Sequence, residues 1–475
     1  MQWNGRSLLA HQAELKNYLA CTKVRPSLIC VQETSLKTGK NVTVQGYSIE
    51  RRDREGANGG GVAILIADGV SYTVVDRPQD VEALSIQFSL ASKRKITVTN
   101  IYHPPGTPIN TASLQRIFAL KDNIIVGDFN SHSTLWGSTR TDANGRVIEE
   151  LLEEHDLTVL NTGEGTFVKP NSEGYSPLDL TIVPIDLSLR ARWEVMLDTL
   201  GSDHLPVITT IDQAPALQAH EPPKWDLKRA DWALFSRELE ALSPVQGDVT
   251  TQGEYERLVG VIFDAAGKAI SKKSAQLRHK PLPYWNEACQ QAIKLRNMAR
   301  NRWKAYARKH GEGDEEFARL KGKYQEQQGR SQWTIKDASR QHWQAYCSTL
   351  SSSSKLGPVW RMARTMNGIS ARTSMPSLVT TVNGVKVVHE SNEEKANLLA
   401  QTYTDVRSIS KYEEQFRSHK DVMKAKWSAE APPTPGNDNA AALDEPIGWH
   451  ELRMAVERSK SHSSPGPDTI SYEMV

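Results

Sequence analysis

Cysteine is scarce in this chain: four residues, Cys21, Cys30, Cys289 and Cys347, among 475. Their spacing fits neither a zinc knuckle nor a disulfide framework, which suits a reducing compartment and structural roles for the thiols. Long apolar runs are missing as well. No window approaches the roughly eighteen apolar residues that mark a membrane-spanning helix, and the amino terminus lacks the charged, apolar and cleavage-site succession of a secretory leader, so neither secretion nor a membrane partner is expected. Net charge is almost absent, at +2. Internal repeats are absent too. With 38% apolar residues, the length is enough for about two to four domains with a proper core.

The charge that is present is unevenly spread. Residues 1–213 carry 20 Lys and Arg against 25 Asp and Glu, whereas residues 271–350 carry 17 against 7. A mildly acidic domain followed by a basic, aromatic-interleaved segment suits metal collection by the first and polyanion binding by the second.

Period and punctuation divide the chain. Short apolar runs at 27–32, 62–66, 83–88, 96–102, 124–126, 178–183 and 207–211 read as strands, interrupted by helical patterns near Leu8 to Cys21 and Gly145 to His155. Many short strands with few helices indicate a layered or sandwich domain rather than a doubly wound one. Residues 214–230 read as a proline-bearing linker, 231–350 as a basic, mostly helical connector, and 351–445 as a variable linker region. Trp285, Trp303, Trp333 and Trp343 recur in the connector. Such tryptophans anchor helix packing or offer platforms for bases.

The chemistry starts at "IIVGDFN", where a buried strand ends on Asp128 and Asn130. Residues two apart on a strand project to the same side, so both are expected to face one cleft. A carboxylate that polarises water and an amide that orients it suit attack on a phosphoryl group. Gly, Asp and Asn are equally ordinary turn residues, but other strand ends repeat the pattern. "SLICVQET" delivers Glu33, a carboxylate of the kind that holds magnesium. "GSDHLPV" delivers Asp203 and His204, and "SPLDLTI" buries Asp179, which needs a cation; His204 is the candidate. Asn4 and Tyr102 add an amide and a phenol able to reach phosphate oxygens.

The order Asn4, Glu33, Tyr102, Asp128-x-Asn130, Asp179, Ser202-Asp203-His204 resembles the endonuclease/exonuclease/phosphatase superfamily, in its apurinic-type branch, over residues 1 to about 213. The resemblance implies an α/β fold, a four-layer sandwich of two β-sheets flanked by helices. It implies that Glu33 binds a divalent metal, Mg²⁺ or alternatively Mn²⁺, with Asn4 and Asp203 supporting the site. Asp128 and Asn130 would position or deprotonate the attacking water, His204 oriented by Asp179 would hold the scissile phosphate, and Tyr102 would line the phosphate site. Repair members carry an aspartate two residues after the first asparagine; here that position is Arg6, which argues against abasic-site repair and places a cation near the DNA.

"HSTLWGSTRTDANGRVIEELLEEHDLTVLN" is similar to the endonuclease domain of non-LTR, LINE-like retrotransposon polyproteins of the jockey, I and R1 kind. "PYWNEACQQAIKLRNMARNRW" resembles their connector, and Leu452 to Val475 resembles the start of a reverse transcriptase domain, placed at 446–475. No paired-aspartate polymerase motif is present, so no polymerase activity is expected from this chain. The resemblance implies a Mg²⁺-dependent endonuclease that nicks duplex target DNA in the nucleus and leaves a 3′-hydroxyl primer, with element RNA as a partner of the connector. The alternatives are a phosphodiesterase or phosphatase on a small substrate and a non-catalytic nucleic-acid-binding protein. In "VKPNSEGYSP", a hairpin loop beside Asp179, Lys169 is expected to meet a DNA phosphate and Tyr175 to probe groove width. "GANGGGVAILI" lacks the Gly-Lys-Ser/Thr of a phosphate loop and reads as a turn before a strand.

Overall fold

The computed structural model describes the chain apart from residues 41, 57–58, 76–77, 169–174, 217–224, 241–250, 273–281, 312–313, 352–355, 367–376, 383–384, 390, 407–411, 430–447, 459–469, 471–473 and 475. Lys169, most of the loop containing it, residues 217–224 of the 214–230 linker and most of the carboxy-terminal segment lie outside the described residues.

Near-continuous apolar strands such as "VAILIA" arise where both faces of a sheet are covered. That strand is β4 (Val62–Ala67), and its alternation divides it cleanly. Val62, Ile64 and Ile66 enter one core cluster, while Ala63 and Leu65 enter another. β4 belongs to a six-stranded sheet with β1 (Gln2–Asn4), β2 (Leu28–Gln32), β3 (Tyr47–Arg52), β13 (Ala191–Val195) and β14 (Val207–Ile211), ordered β13-β14-β1-β2-β4-β3. The second sheet holds β5 (Tyr72–Val75), β6 (Ala83–Ser89), β7 (Lys95–Tyr102), β8 (Asn123–Asp128), β9 (Leu157–Val159) and β12 (Asp179–Pro184), ordered β5-β6-β7-β8-β12-β9. A small hairpin pairs β10 (Phe167–Val168) with β11 (Tyr175–Ser176).

The sheets pack face to face through Cys30, Ile64, Ile86, Val98 and Val126. Helix α1 (Leu8–Cys21) covers the outer face of the first sheet through Leu8, Leu15 and Leu19 against Ile29, Val31 and Leu65. Helices α2 (Thr111–Phe118) and α3 (Ala143–Glu154) cover the second through Leu114, Ile117, Ile148 and Leu151 against Ile101, Ile125 and Leu180. The result is the four-layer α/β sandwich. Trp136, the aromatic of the "LWGS" phrase, is fully buried in that outer layer.

Two parallel pairs, β1 with β2 and β7 with β8, position the site. Parallel strands end at the same edge, so Asn4 and Glu33 emerge beside each other from one sheet, and Tyr102 and Asp128 from the other. Gly127 lies at φ 156°, and a Cβ there would sit 1.9 Å from the Ile101 carbonyl oxygen, which is why the strand carries glycine just before its acid.

After α4 (Ile185–Ser188), α5 (Trp232–Glu240) and α6 (Thr251–Ala269) come the long helices α7 (Glu287–His310) and α8 (Glu315–Ser348). Then follow α9 (Leu356–Met366), a hairpin of β15 (Leu378–Val382) and β16 (Val385–His389), and α10 (Asn392–Val406), α11 (Glu414–Ala429) and α12 (Trp449–Arg458). Packing does not follow linear order. One compact unit comprises Met1–Ala219 with Leu277–Lys395, and another His220–Gln276 with Ala396–Val475. In the second, Phe235, Ile262, Ala266 and Met474 share a core. None of the described helices is long and apolar enough to cross a membrane.

Candidate active site

Asn4 ties the two sheets together. Its Nδ2 donates to Glu33 Oε1 at 2.9 Å and to Asp128 Oδ2 at 2.8 Å, so the two carboxylates lie side by side around one amide. Glu33 follows β2 with φ 48°, a turn that swings its side chain to the strand edge. Tyr102 is the register partner of Asp128 and is buried beside Glu33. Burial, then the charges of Glu33 and Asp128, push its phenol up, so it stays protonated.

The same-side expectation for Asp128 and Asn130 needs correcting. β8 ends at Asp128, and Asn130 lies beyond it in the left-handed region at φ 45°. The turn, not strand alternation, places it: its N–H donates to Asp128 Oδ1 at 3.0 Å and its Nδ2 to the His103 carbonyl at 2.8 Å.

Asp179 opens β12, directly opposite Asp128 in the register. Its Oδ2 meets His204 Nδ1 at 2.8 Å, the pairing that burial of the acid called for. His204 Nε2 lies 3.8 Å from Asp128 Oδ2. Burial opposes the charge on His204, but Asp179, and then Asp128, outweigh it and raise its pKa to about 10. Burial, reinforced by Asp179 and opposed by His204, raises Asp128 to about 7. Asp128, Asp179 and His204 bring potential ligand atoms within 4.8 Å of one another.

Asp203 stands apart from that cluster. Its carboxylate pairs with Arg6, whose side chain is 64% exposed, at the rim. Tyr175 lies in β11 opposite Val168; its side chain, like the whole of Lys169, is outside the described residues. All the nuclease-type residues apart from these two therefore gather at one edge of the sandwich.

Several participants escape sequence reasoning. Arg54 sits 5.3 Å from the centre of the Tyr102 ring and is held by Glu82. The Ser202 hydroxyl donates to the Asn4 carbonyl at 2.7 Å. The Phe167 ring lies 4.7 Å from that of His204. Gln32 and Asn100 bond at 2.6 Å between the sheets. Ser202 already stands in the Ser202-Asp203-His204 motif of the sequence; the others are brought in by long-range pairing.

Residues 96–208 match the family described as endonuclease-reverse transcriptase. With its two-sheet sandwich, the matched region is similar to domains of the endonuclease/exonuclease/phosphatase superfamily. More widely, the chain is similar to polyproteins of non-LTR retrotransposons. The RNA-directed DNA polymerase from mobile element jockey of Drosophila melanogaster is 24% identical over 291 residues, 58% of this chain and 30% of the relative. The probable polymerase from transposon BS of the same species is 26% identical over 285 residues, 57% of this chain and 30% of the relative. The chain thus spans about a third of the length of these curated relatives. The solved endonuclease domain of TRAS1, a telomere-specific non-LTR retrotransposon, is 26% identical, with a TM-score of 0.37, covering 44% of this chain and 95% of that one.

Proposed function

We propose that the chain is a Mg²⁺-dependent endonuclease that nicks duplex DNA and leaves a 3′-hydroxyl from which a reverse transcriptase primes. The observation that carries this reading is the buried Asp128–His204–Asp179 arrangement beside Asn4 and Glu33. Three carboxylates stand against one imidazolium there, and Asp179 Oδ1 is buried without a hydrogen-bond partner. An oxygen-rich, under-neutralised donor set fits a hard divalent cation. Glu33 would hold it, its carboxylate oriented by Asn4. When bound, the ion supplies positive charge to a phosphoryl oxygen.

The rest belongs to the side chains. His204, kept protonated by Asp179, donates from Nε2 to a non-bridging phosphate oxygen and stabilises charge as it develops. Asp128 accepts a proton from the attacking water, which the Asn130 side chain orients; as the water oxygen bonds to phosphorus the P–O3′ bond breaks, the phosphate stays on the 5′ side, and the leaving 3′-oxygen takes a proton from solvent. Arg6 and Lys169 meet phosphates of the DNA backbone, and Tyr175 probes the width of the adjacent groove. Manganese is a substitute ion of the same coordination chemistry.

Exposed Lys294, Arg302, Lys309, Lys323, Arg330 and Lys336 on α7 and α8 offer cations to a nucleic-acid backbone, which favours element RNA as a second partner. Such a function is exercised in the nucleus, on genomic DNA. The test is incubation with supercoiled plasmid in Mg²⁺ or in chelator, beside inositol phosphates as competing substrates. Nicked circles only with metal support the reading; hydrolysis of the small phosphates without nicking overturns it.

A further inference from the structure

Part of the basic connector is not solvated. On α7, Cys289, Ala292, Arg296, Ala299, Arg300, Trp303, Lys304 and Ala307 form one buried stripe at helical spacing, with three cations within it. Arg296 is 1% exposed. Its guanidinium grips Glu14 of α1 in a bidentate pair at 2.8 and 2.9 Å, and reaches Asp198 Oδ1 at 2.9 Å. Arg300 donates to the Leu197 carbonyl. Burial works against the charge of Arg296, but Glu14 and then Asp198 outweigh it and leave its pKa above the ordinary value.

Those partners flank the loop that carries the site. Leu197 to Leu205 connects β13 to β14 and contains Asp203 and His204. Gly201, at φ 91°, has space for no Cβ: one would lie 2.5 Å from His11 Nδ1 and 2.8 Å from Glu14 Oε1. Glu14 therefore sits between Arg296 and the loop backbone. The other side of the loop leans on the β10–β11 hairpin: Val168 N–H donates to the Asp203 carbonyl at 2.8 Å, Leu205 N–H to the Thr166 carbonyl at 2.7 Å, and Phe167 packs on His204. The α7–α8 pair reaches that side too, since Val168 shares a core with Ala299, Trp303, Ala307, Phe317 and Tyr324.

We propose that α7 and α8 are a clamp on the catalytic loop, in which Arg296 and Trp303 are positioning residues that hold Asp203 and His204 from opposite sides. The connector then forms part of the nuclease, beyond any role as a tether for nucleic acid. Bidentate pairing fixes both distance and plane, so lysine would restore only part of the effect. The proposal rests on the nuclease reading, and its test separates the two.

The experiment uses the full chain with Arg296→Ala and Arg296→Lys, and with Arg296→Met combined with Glu14→Leu, which leaves no unpaired charge in the α1 contact should the alanine variant fail to fold. Plasmid nicking is measured for kcat and KM, together with thermal unfolding and hydrogen exchange at the Val168 and Leu205 amides. The clamp predicts a kcat lowered about tenfold or more, the scale of a small misplacement of reacting groups, with KM within about twofold, faster exchange at both amides and partial recovery in Arg296→Lys. An unchanged kcat, or a rise in KM alone, overturns it. If the wild-type chain makes no nicks, the nuclease reading fails and the exchange arm decides alone: unchanged protection in the folded variants overturns the clamp.

Discussion

At the residue scale the site is governed by who neutralises whom. His204 carries charge because two buried acids face it, and Asp128 resists ionisation because burial and Asp179 oppose it. Replacing His204 or Asp128 by alanine should each lower nicking by at least about a hundredfold, the scale of losing a positioned charge or base. Metal-dependent plasmid assays on folded variants check this, and near-normal activity in a folded His204→Ala protein would remove that residue from the site. His11 gives a different signature. Burial, helped by Arg296, lowers its pKa to about 4, so the fold favours the neutral ring. Its stability is fully present above the unfolded value of about 6.5 and is lost as pH falls through 4, to an extent of about 3 kcal/mol. Thermal unfolding of His11→Gln should show a shallower loss between pH 6.5 and 4 than the native chain; parallel curves would contradict the assignment.

At the element scale, legibility followed locality. The runs at 62–66, 83–88 and 96–102 foretold β4, β6 and β7 because both faces of those strands are covered, and "LLAHQAELKNYLAC" foretold α1 through its buried Leu8, Leu15 and Leu19. Strands β3, β5 and β13 were missed because their outer residues are polar or half exposed, which leaves no apolar run to see. Asp179 and His204 could be paired from sequence because a buried acid requires a cation. Arg54 and Phe167 could not, since register and hairpin pairing bring them in. The tryptophans of the connector split in the same way: Trp303 is a core residue stacked on Tyr324, whereas Trp333 is 62% exposed. Charge divides likewise, with Arg296 inward and Lys294, Arg302 and Lys309 outward. Nucleic-acid affinity of the full chain should therefore fall steeply with salt, and reversing the three outward cations to glutamate should flatten that slope by about 3. Filter binding from low to high salt measures it; an unchanged slope would show that this face is merely solvated.

At the scale of the whole molecule, two sheets converge their parallel strand ends on one edge, and a helical pair from far along the sequence braces the loop there. The chemistry proposed for that edge leaves the phosphate on one side of the break and a free hydroxyl on the other. The most direct test is the state of the broken end. Supercoiled plasmid treated with the full chain in Mg²⁺ is offered to a DNA polymerase with labelled nucleotides and no prior end repair. Immediate incorporation at the nicks is the expected result. Nicks that accept label only after phosphatase treatment would show cleavage on the other side of the phosphorus and would contradict the account.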